Sequence, residues 1–292
     1  MSYLDLDDHK AYQKWVGYKQ SRYELRSDSG FSLLNAVEPD GTIPEQSLTN
    51  LKTQVSDYNF SLYKMLGPAE DHLAVVKKVG SQMGLQQLDK NLCAREDRIT
   101  RLSVVENGRP NHYIPYSNKA IGWHTDGYYN PMQQRVQAMV LHCEQPAAAG
   151  GENQLLDHEM AYIHLRNENP DFIRALSQPA VMCIPENIEN GELLRAQTCS
   201  AVFMEEQGHA LNMRYSRRKH NIIWSDDVLT QEALDCLDGF LESDSPYHVR
   251  YRLNQGEGVM CNNVLHTRTA FTDSAEHKRV YYRARYYNRI EC

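Results

Sequence analysis

The sequence predicts a mainly β fold with added helices, in which a helical N-terminal part precedes a core of short strands. Apolar residues recur at helical spacing in residues 1–97, and from residue 98 the apolar period changes to two. The strand-like segments that follow are short and separated by turn residues, and no Gly-rich dinucleotide or phosphate-loop motif occurs. We therefore expect one domain over residues 1–292, with an antiparallel barrel or sandwich in residues 98–292 that carries helical and lid insertions.

Three helices are predicted in the N-terminal part. The first covers about residues 5–26, and Pro44 opens the second because proline is tolerated in a first helical turn. The third follows Gly67-Pro68. The apolar positions that give the second helix its spacing are Leu48, Leu51, Val55, Tyr58, Leu62 and Met65.

The core combines strand-like segments with helical insertions. Asp157 caps a short helix, Pro170 starts another, and a third begins near Ser225. Residues 185–200 are polar and without periodicity, which favours a lid loop. Strands are predicted at residues 98–105, 113–116, 136–143, 153–156, 247–253, 258–262, 263–268 and 279–287, with a hairpin over 200–215.

Composition limits the partners and the compartment that we expect. The formal net charge is −7 with basic residues spread along the chain, which disfavours nucleic acid as a partner. No run of 18 apolar residues occurs and the acidic N-terminus lacks a signal-peptide pattern, so no membrane span is expected. Seven cysteines without a Cys-x-x-Cys motif argue against a disulfide framework, and we expect reduced thiols in a cytoplasmic protein.

The segment with the clearest chemistry is Gly122-Trp-His-Thr-Asp-Gly127. In an extended strand alternate side chains share a face, so His124 and Asp126 point the same way. An imidazole and a carboxylate supply two thirds of the 2-His-1-carboxylate site of non-haem Fe(II) oxygenases. His266, which follows a strand-like run, is the candidate for the third ligand. A lone His-x-Asp pair arises by chance in many chains, so the prediction depends on these motifs occurring together.

A basic strand near the C-terminus predicts an anionic ligand. Arg279, Arg283 and Arg285 occupy alternate positions with Tyr281 and so line one face of the strand. Three cations on one face repel one another unless anions are supplied, and a guanidinium grips a carboxylate with two parallel hydrogen bonds. Arg285 is expected to form a structural ion pair. For the basic run 214–220 two interpretations stay open, a solvated loop and a frame for an anionic substrate.

Together these motifs resemble the Fe(II)/2-oxoglutarate dioxygenases of the taurine dioxygenase type. The resemblance covers roughly residues 98–290 and implies that the core is a double-stranded β-helix, or jelly roll. It is carried by Trp123–Gly127, by the Gly150-Gly151-Glu152-Asn153 turn, by Asn263–His266, and by Arg279 with Arg283 four residues later.

The resemblance also implies roles for individual residues. His124, Asp126 and His266 match the ligands of Fe(II), and Arg279 matches the arginine that holds the distal carboxylate of 2-oxoglutarate. Asn153 stands where the family often has a Thr or Ser that touches 2-oxoglutarate. The candidate substrate contacts are Arg283, Tyr128 and Asn262. For the last two there are alternatives, since Tyr128 is also a candidate packing residue and Asn262 a candidate for bonding backbone in a strand kink.

The implied activity is hydroxylation of a small polar molecule that is anionic or amino-acid-like. O2 and 2-oxoglutarate are the expected cosubstrates, with succinate and CO2 released. Asp126 favours hydroxylation over halogenation, because a halogenase of this family leaves that ligand position vacant for halide. Two alternatives stay open: a non-catalytic sensor of metal or 2-oxoglutarate, and a zinc hydrolase, which leaves the arginine strand unexplained. A homo-oligomer is compatible with the sequence.

Overall fold

The computed structural model describes residues 3–28, 34–90, 97–105, 113–189, 191–206, 210–218 and 221–291. An Asp or Asn side chain caps four of the helices in this part of the chain and accepts hydrogen bonds from their first backbone N–H groups. None of the described helices is long and apolar enough to cross a membrane. The helices are α1 (His9–Asp28), α2 (Glu45–Tyr58), α3 (His72–Gln82), α4 (His158–Glu168), α5 (Pro170–Leu176) and α6 (Val228–Glu242), with 3-10 turns at Ile114–Tyr116 and Met132–Gln134.

The larger of two main sheets has six strands, numbered here along the chain. Their order across the sheet is β1-β2-β16-β5-β19-β3, and every neighbouring pair is antiparallel except the parallel pair β1–β2. The strands are β1 (Leu34–Val37), β2 (Phe60–Met65), β3 (Thr100–Leu102), β5 (Ala138–Gln145), β16 (Glu257–Cys261) and β19 (Val280–Tyr286).

The smaller main sheet has four strands in the order β15-β7-β17-β4, all antiparallel. A two-stranded ladder, β6 with β18, stands beside the turn that leads into β7. The strands are β4 (Ile121–His124), β6 (Ala149–Gly150), β7 (Asn153–Leu156), β15 (Val249–Tyr251), β17 (Leu265–Arg268) and β18 (Phe271–Thr272).

Short strands in the insertions form three further small sheets. They comprise β11-β8-β14, the hairpin β9–β10 and the hairpin β12–β13. The predicted hairpin over 200–215 is thereby confirmed in its strands, while its turn at 207–209 lies outside the described residues. The strands are β8 (Met182–Ile184), β9 (Asn187–Glu189), β10 (Glu192–Arg195), β11 (Thr198–Ser200), β12 (Phe203–Glu205), β13 (Leu211–Met213) and β14 (Ile223–Trp224).

The apolar core lies on both faces of the six-stranded sheet. On one face, alternate residues of the central strands join a cluster with the second sheet and helices α4 to α6; Leu141 and Val259 belong to it. On the other face, the intervening residues, such as Val140 and Met260, pack with α2 and α3. Both sides of these strands are therefore buried, and the expected mainly β fold with a largely helical N-terminal part is confirmed at this level.

The second predicted helix extends too far, because its last part is a separate strand in the structure. It ends at Tyr58, and residues Phe60–Met65 form β2 in the interior of the sheet. Asn59 adopts φ 60, the left-handed conformation that ends helices and that Asn tolerates well. Leu62 and Met65 kept the helical spacing, but pairing with β1 and β16 satisfies their backbone groups in a strand.

Three smaller expectations are also wrong. Residues 113–116 form a 3-10 turn and not an extended segment. The region 185–200 is no aperiodic loop, because β9 and β10 pair as a hairpin that turns at Gly191 with φ +81. Cys183 and Cys199 are not free thiols: they face each other across the β8–β11 register and form a disulfide at the base of that hairpin.

Candidate metal centre and its arginines

The two candidate histidines meet by strand pairing. His124 on β4 and His266 on β17 are direct partners in the antiparallel register, with ring centroids 4.2 Å apart. Nδ1 of each ring lies at hydrogen-bond distance from the carbonyl two residues earlier, Gly122 O at 2.9 Å and Val264 O at 3.0 Å. A ring that donates from Nδ1 keeps Nε2 as a free lone pair, which is the form that binds a metal.

The backbone around Asp126 is held by Asn263. The Asp126 N–H donates to Asn263 Oδ1 at 2.8 Å, and Asn263 Nδ2 donates to the carbonyls of Asp126 (3.0 Å) and Val136 (2.7 Å). Asn263 itself has φ 49, and at this tight kink between β16 and β17 its amide meets the backbone of Asp126. Sequence reasoning did not find this contact, which joins residues 137 positions apart.

Ligand atoms of His124, Asp126 and His266 all lie within 4.8 Å of one another. In the described part of the chain, no other group of three His, Cys, Asp or Glu side chains is arranged in this way. Two imidazoles and one carboxylate on one side leave further positions open, as in the facial triad of non-haem iron enzymes.

The charge states of these groups suit a divalent cation. Burial and the neighbouring His266 lower the pKa of His124 to about 3, so its ring is neutral at ordinary pH. Burial by itself raises the pKa of Asp126, but the charges of Arg283 and Arg285 outweigh it and hold that pKa well below its usual range. Arg283 Nη1 donates to Asp126 Oδ1 at 3.0 Å, while Oδ2 is buried without a hydrogen-bond partner. One carboxylate oxygen is thus left for a metal.

Arg279 is a buried cation whose guanidinium forms no ion pair among the described residues; the Asp273 carboxylate accepts from its backbone N–H instead. Its side chain is only 3% exposed, and Nε and Nη1 have no hydrogen-bond partner. The guanidinium lies over the ring of Tyr281, 3.7 Å from the centroid, and near Phe271 at 5.2 Å. Burial lowers the pKa of Arg279. Because an unpaired buried charge is costly, this arrangement fits a side chain kept for an anionic ligand.

The Gly150-Gly151 turn brings the backbone close to Arg279. A Cβ at Gly150 would lie 2.3 Å from the carbonyl of Ala270, and one at Gly151 would lie 3.9 Å from Arg279 Nε. Both glycines have φ above +70°, a conformation that other residues rarely adopt. The turn therefore leaves room beside the guanidinium.

A further arginine, which sequence reasoning missed, faces the same site. Arg268 follows His266 by two positions on β17 and donates to the carbonyls of Pro115, Ser117 and Lys119, while its Nε has no partner. Burial, together with the charges of Arg279 and Arg283, lowers the pKa of Arg268 to about 9. Because side chains alternate along a strand, the position two residues after His266 could have indicated Arg268 from the sequence.

The other candidates have more varied surroundings. Asn153 is buried opposite Arg268 in the β7–β17 register, and its Nδ2 lies 3.3 Å from the carbonyl of Gly151. The Tyr128 hydroxyl accepts a hydrogen bond from Arg218 at 3.2 Å. Asn262 exchanges two hydrogen bonds with the backbone of Ile290, which agrees with its alternative interpretation. Asn262 is therefore left out of the proposed site.

Arg285 has the structural role that was expected for it. It is buried, forms an ion pair with the equally buried Asp89, and donates to the Tyr129 hydroxyl at 3.0 Å. Arg283 and Arg285 thus lie two residues apart on β19 and Arg279 immediately before it, and the three have different surroundings: aromatic rings for Arg279, the Asp126 carboxylate for Arg283 and the Asp89 carboxylate for Arg285.

Comparison with protein families places the chain. The model of the family described as taurine catabolism dioxygenase TauD, TfdA family, matches residues 59–284. The chain belongs to the TauD/TfdA family. It is thus an oxygenase of the Fe(II)- and 2-oxoglutarate-dependent class, as the sequence motifs predicted.

Two curated relatives of this TauD/TfdA chain are both named uridine-5'-phosphate dioxygenase. The Streptomyces sp. protein is 25% identical over 197 residues, which are 66% of this chain and 70% of the relative. The Amycolatopsis sp. protein is 24% identical over 169 residues, 56% of this chain and 60% of the relative.

Solved structures show the same fold at low identity. An asparagine oxygenase complexed with Fe(II), 3-hydroxyasparagine and succinate superposes with a TM-score of 0.57 at 11% identity, covering 94% of this chain and 91% of the other. The non-haem iron oxygenase OrfP with Fe and α-ketoglutaric acid gives 0.60 at 14% identity, covering 84% and 80%.

Proposed function

We propose that this chain binds Fe(II) through His124, Asp126 and His266 and hydroxylates a small polar, anionic substrate at the expense of 2-oxoglutarate and O2. The observation that carries the proposal is the triad of ligand atoms within 4.8 Å beside the unpaired guanidinium of Arg279. A metal triad accounts for the ligands, and a dicarboxylate accounts for the cation. The zinc hydrolase alternative accounts for the three metal ligands but not for the unpaired cation.

The donor set fits a bound iron. Fe(II), when bound, supplies the one-electron chemistry that activates O2. The chain's own residues prepare the site: the carbonyls of Gly122 and Val264 orient the two imidazoles, and Arg283 holds the Asp126 carboxylate, whose Oδ1 lies 4.0 Å from His124 Nε2.

The proposed cosubstrate pocket uses Arg279, with Asn153 and the Gly150-Gly151 turn as neighbours. The guanidinium of Arg279, whose Nε and Nη1 have no hydrogen-bond partner, is the donor group for the distal carboxylate of 2-oxoglutarate. The rings of Tyr281 and Phe271 flank this guanidinium and exclude water, which strengthens the ion pair. Substrate contact by Arg283 and Tyr128 stays a prediction.

The proposal includes a finer view of the fold and the substrate. We infer that the six-stranded and four-stranded sheets are the two halves of a double-stranded β-helix, since His124 and His266 come from the four-stranded sheet and Arg283 from the six-stranded one. A uridine 5'-phosphate-like molecule is the first substrate to test, because the two curated relatives share more sequence identity with this chain than the asparagine oxygenase and OrfP do.

The test is formation of succinate from 2-oxoglutarate by protein loaded with Fe(II) without oxygen and then given O2. Wild type is expected to form succinate, and His124→Ala is expected to lose both metal binding and turnover. Arg250→Gln, at an exposed arginine that pairs with Asp244, serves as the control and is expected to behave as wild type. Binding of Fe(II) and 2-oxoglutarate without succinate over a broad substrate panel would favour the sensor alternative. Absence of binding would refute the site.

A further inference from the structure

Arginines without acidic partners surround the segment that follows the metal-binding motif. Arg214 is buried and donates to the carbonyls of Tyr128 (2.5 Å) and Asn130 (2.7 Å). Arg218, which is exposed, donates to the Tyr128 hydroxyl. Neither forms an ion pair with any carboxylate among the described residues, although residues 219 and 220 of the same basic run lie outside them.

Arg195 approaches the same segment from the β9–β10 hairpin. Its guanidinium donates to the carbonyls of Pro185 (2.6 Å) and Ala196 (3.4 Å) and to no acid in the described part of the chain. Burial lowers the pKa of Arg195, and the groups that oppose this effect are all phenols, those of Tyr128, Tyr129 and Tyr113. Its charge adds to burial in lowering the pKa of Arg214 to about 10, so the two cations are neighbours.

Other arginines outside the core do have acids. Arg217 pairs with Asp238 at 2.5 Å and Arg250 with Asp244 at 3.4 Å. Arg195, Arg214 and Arg218 differ from these two arginines in having no ion pair with a carboxylate among the described residues. Arg283, the substrate-anion contact implied by family resemblance, already donates to Asp126. Arg195 and Arg218 are therefore the cations that remain available to a substrate anion next to the metal.

We propose that Arg195 and Arg218 bind the phosphate of a nucleoside 5'-monophosphate substrate, with the rings of Tyr128 and Tyr129 forming the adjoining wall. This inference rests on the proposed function and names the part of the site that sets its substrate class. A phosphate monoester carries nearly two negative charges at neutral pH, and guanidinium forks match its oxygens. The two tyrosine rings meet edge to face at 5.3 Å; Tyr128 is buried, so the half-buried ring of Tyr129 is the one that offers a face for stacking a base.

The location explains why two separate segments supply the cations. Arg218 follows β13 and is exposed, whereas Arg195 is half-buried on the hairpin. A phosphate between them joins the hairpin to the core, so that substrate binding and hairpin position are linked. The Cys183–Cys199 disulfide holds the base of the same hairpin in place.

The experiment measures the Kd of uridine 5'-phosphate and of uridine by calorimetry, using protein loaded with Fe(II) and 2-oxoglutarate without oxygen. The variants are Arg195→Gln, Arg218→Gln and Arg218→Lys, with Arg250→Gln as the matched control and the thermal unfolding midpoint as the check of folding. Wild type and the control are expected to bind the nucleotide at least tenfold more tightly than the nucleoside. Each Gln variant is expected to reduce that preference about tenfold or more, and Arg218→Lys to retain part of it.

Equal affinity of wild type for nucleotide and nucleoside, or an undiminished preference in both Gln variants, overturns the inference. So does a wild type whose succinate formation responds to asparagine or arginine but not to the nucleotide. In those cases Fe(II)-dependent turnover of 2-oxoglutarate still supports the proposed function, whereas its absence refutes both.

Discussion

Replacing Arg279 by Met separates ligand binding from stability. The Arg279 side chain is 3% exposed and has two nitrogens without partners, so the ligand-free protein carries an uncompensated buried charge. Met fills a similar volume without charge. Replacements of buried charges by apolar residues are often neutral or stabilising by about 1–4 kcal/mol. We therefore expect the free energy of unfolding of ligand-free Arg279→Met to equal or exceed that of wild type.

The same change is expected to abolish the response to 2-oxoglutarate. A hydrogen bond to a charged group contributes about 1.5–3 kcal/mol, so the loss of two costs about 3–6 kcal/mol. That corresponds to roughly 10²- to 10⁴-fold in Kd. In wild type, 2-oxoglutarate at 100 times its Kd raises the free energy of unfolding by about 2.7 kcal/mol. At the same concentration the variant should show almost no increase.

Arg285→Met is the matched control, because Arg285 lies on the same strand face and is equally buried at 4% exposure. It pairs with Asp89, which is 3% exposed, so its loss leaves an uncompensated carboxylate. We expect a loss of about 3–5 kcal/mol.

Urea denaturation of both variants, with Fe(II) and with or without 2-oxoglutarate, measures these differences. If Arg279→Met is destabilised as much as Arg285→Met, Arg279 is a structural cation and the reasoning fails. If Arg279→Met keeps the stabilisation by 2-oxoglutarate, the cosubstrate carboxylate binds elsewhere.

Three further outcomes are expected. Asn263→Ala removes three hydrogen bonds that hold the metal-binding segment, so Fe(II) affinity should fall about 10- to 100-fold in a metal titration; unchanged affinity would contradict this role. Lys19→Met leaves the buried Glu159 unpaired and should cost about 3–5 kcal/mol near neutral pH. Burial raises the Glu159 pKa but Lys19 lowers it further, so this stabilisation is present above the ordinary value of 4.5 and lost on acidification. Urea denaturation from pH 7 down through the lowered Glu159 pKa, below 4.5, should then show a smaller loss of unfolding free energy in the variant, and parallel curves would argue against the pair. Cys199→Ser should cost about 3 kcal/mol in unfolding free energy by opening the disulfide, against no comparable loss for the free thiol in Cys236→Ser; equal effects would refute a stabilising disulfide.

Much of the candidate site is encoded in local spacing. A two-residue period places His124 with Asp126, and the same period places Arg279, Arg283 and Arg285 on one strand face. These patterns need only the geometry of an extended chain, which is why they were readable before any tertiary contact was known. The order of the four motifs along the chain was sufficient to predict the family, which the match over residues 59–284 confirmed.

Local pattern failed where distant partners decide. Residues Phe60–Met65 continue a helical spacing, yet they form a strand because β1 and β16 supply the hydrogen bonds on either side. Cys183 and Cys199 showed no recognisable spacing, and only the β8–β11 register brings their sulfurs together. Backbone hydrogen bonding between distant segments outweighs propensity in such cases.

The sequence by itself determined the metal ligands that we propose, the arginine face and the family. Only the tertiary structure decided which arginine is free. Arg285 finds Asp89 across 196 positions of sequence and Arg283 finds Asp126 across 157, while the guanidinium of Arg279 forms no ion pair among the described residues. Along the strand the three side chains are equivalent, and they differ only in the charge that folding places within a few ångströms of each. Because the energy of a buried ion depends steeply on that distance, a guanidinium's role is set by its partners in space.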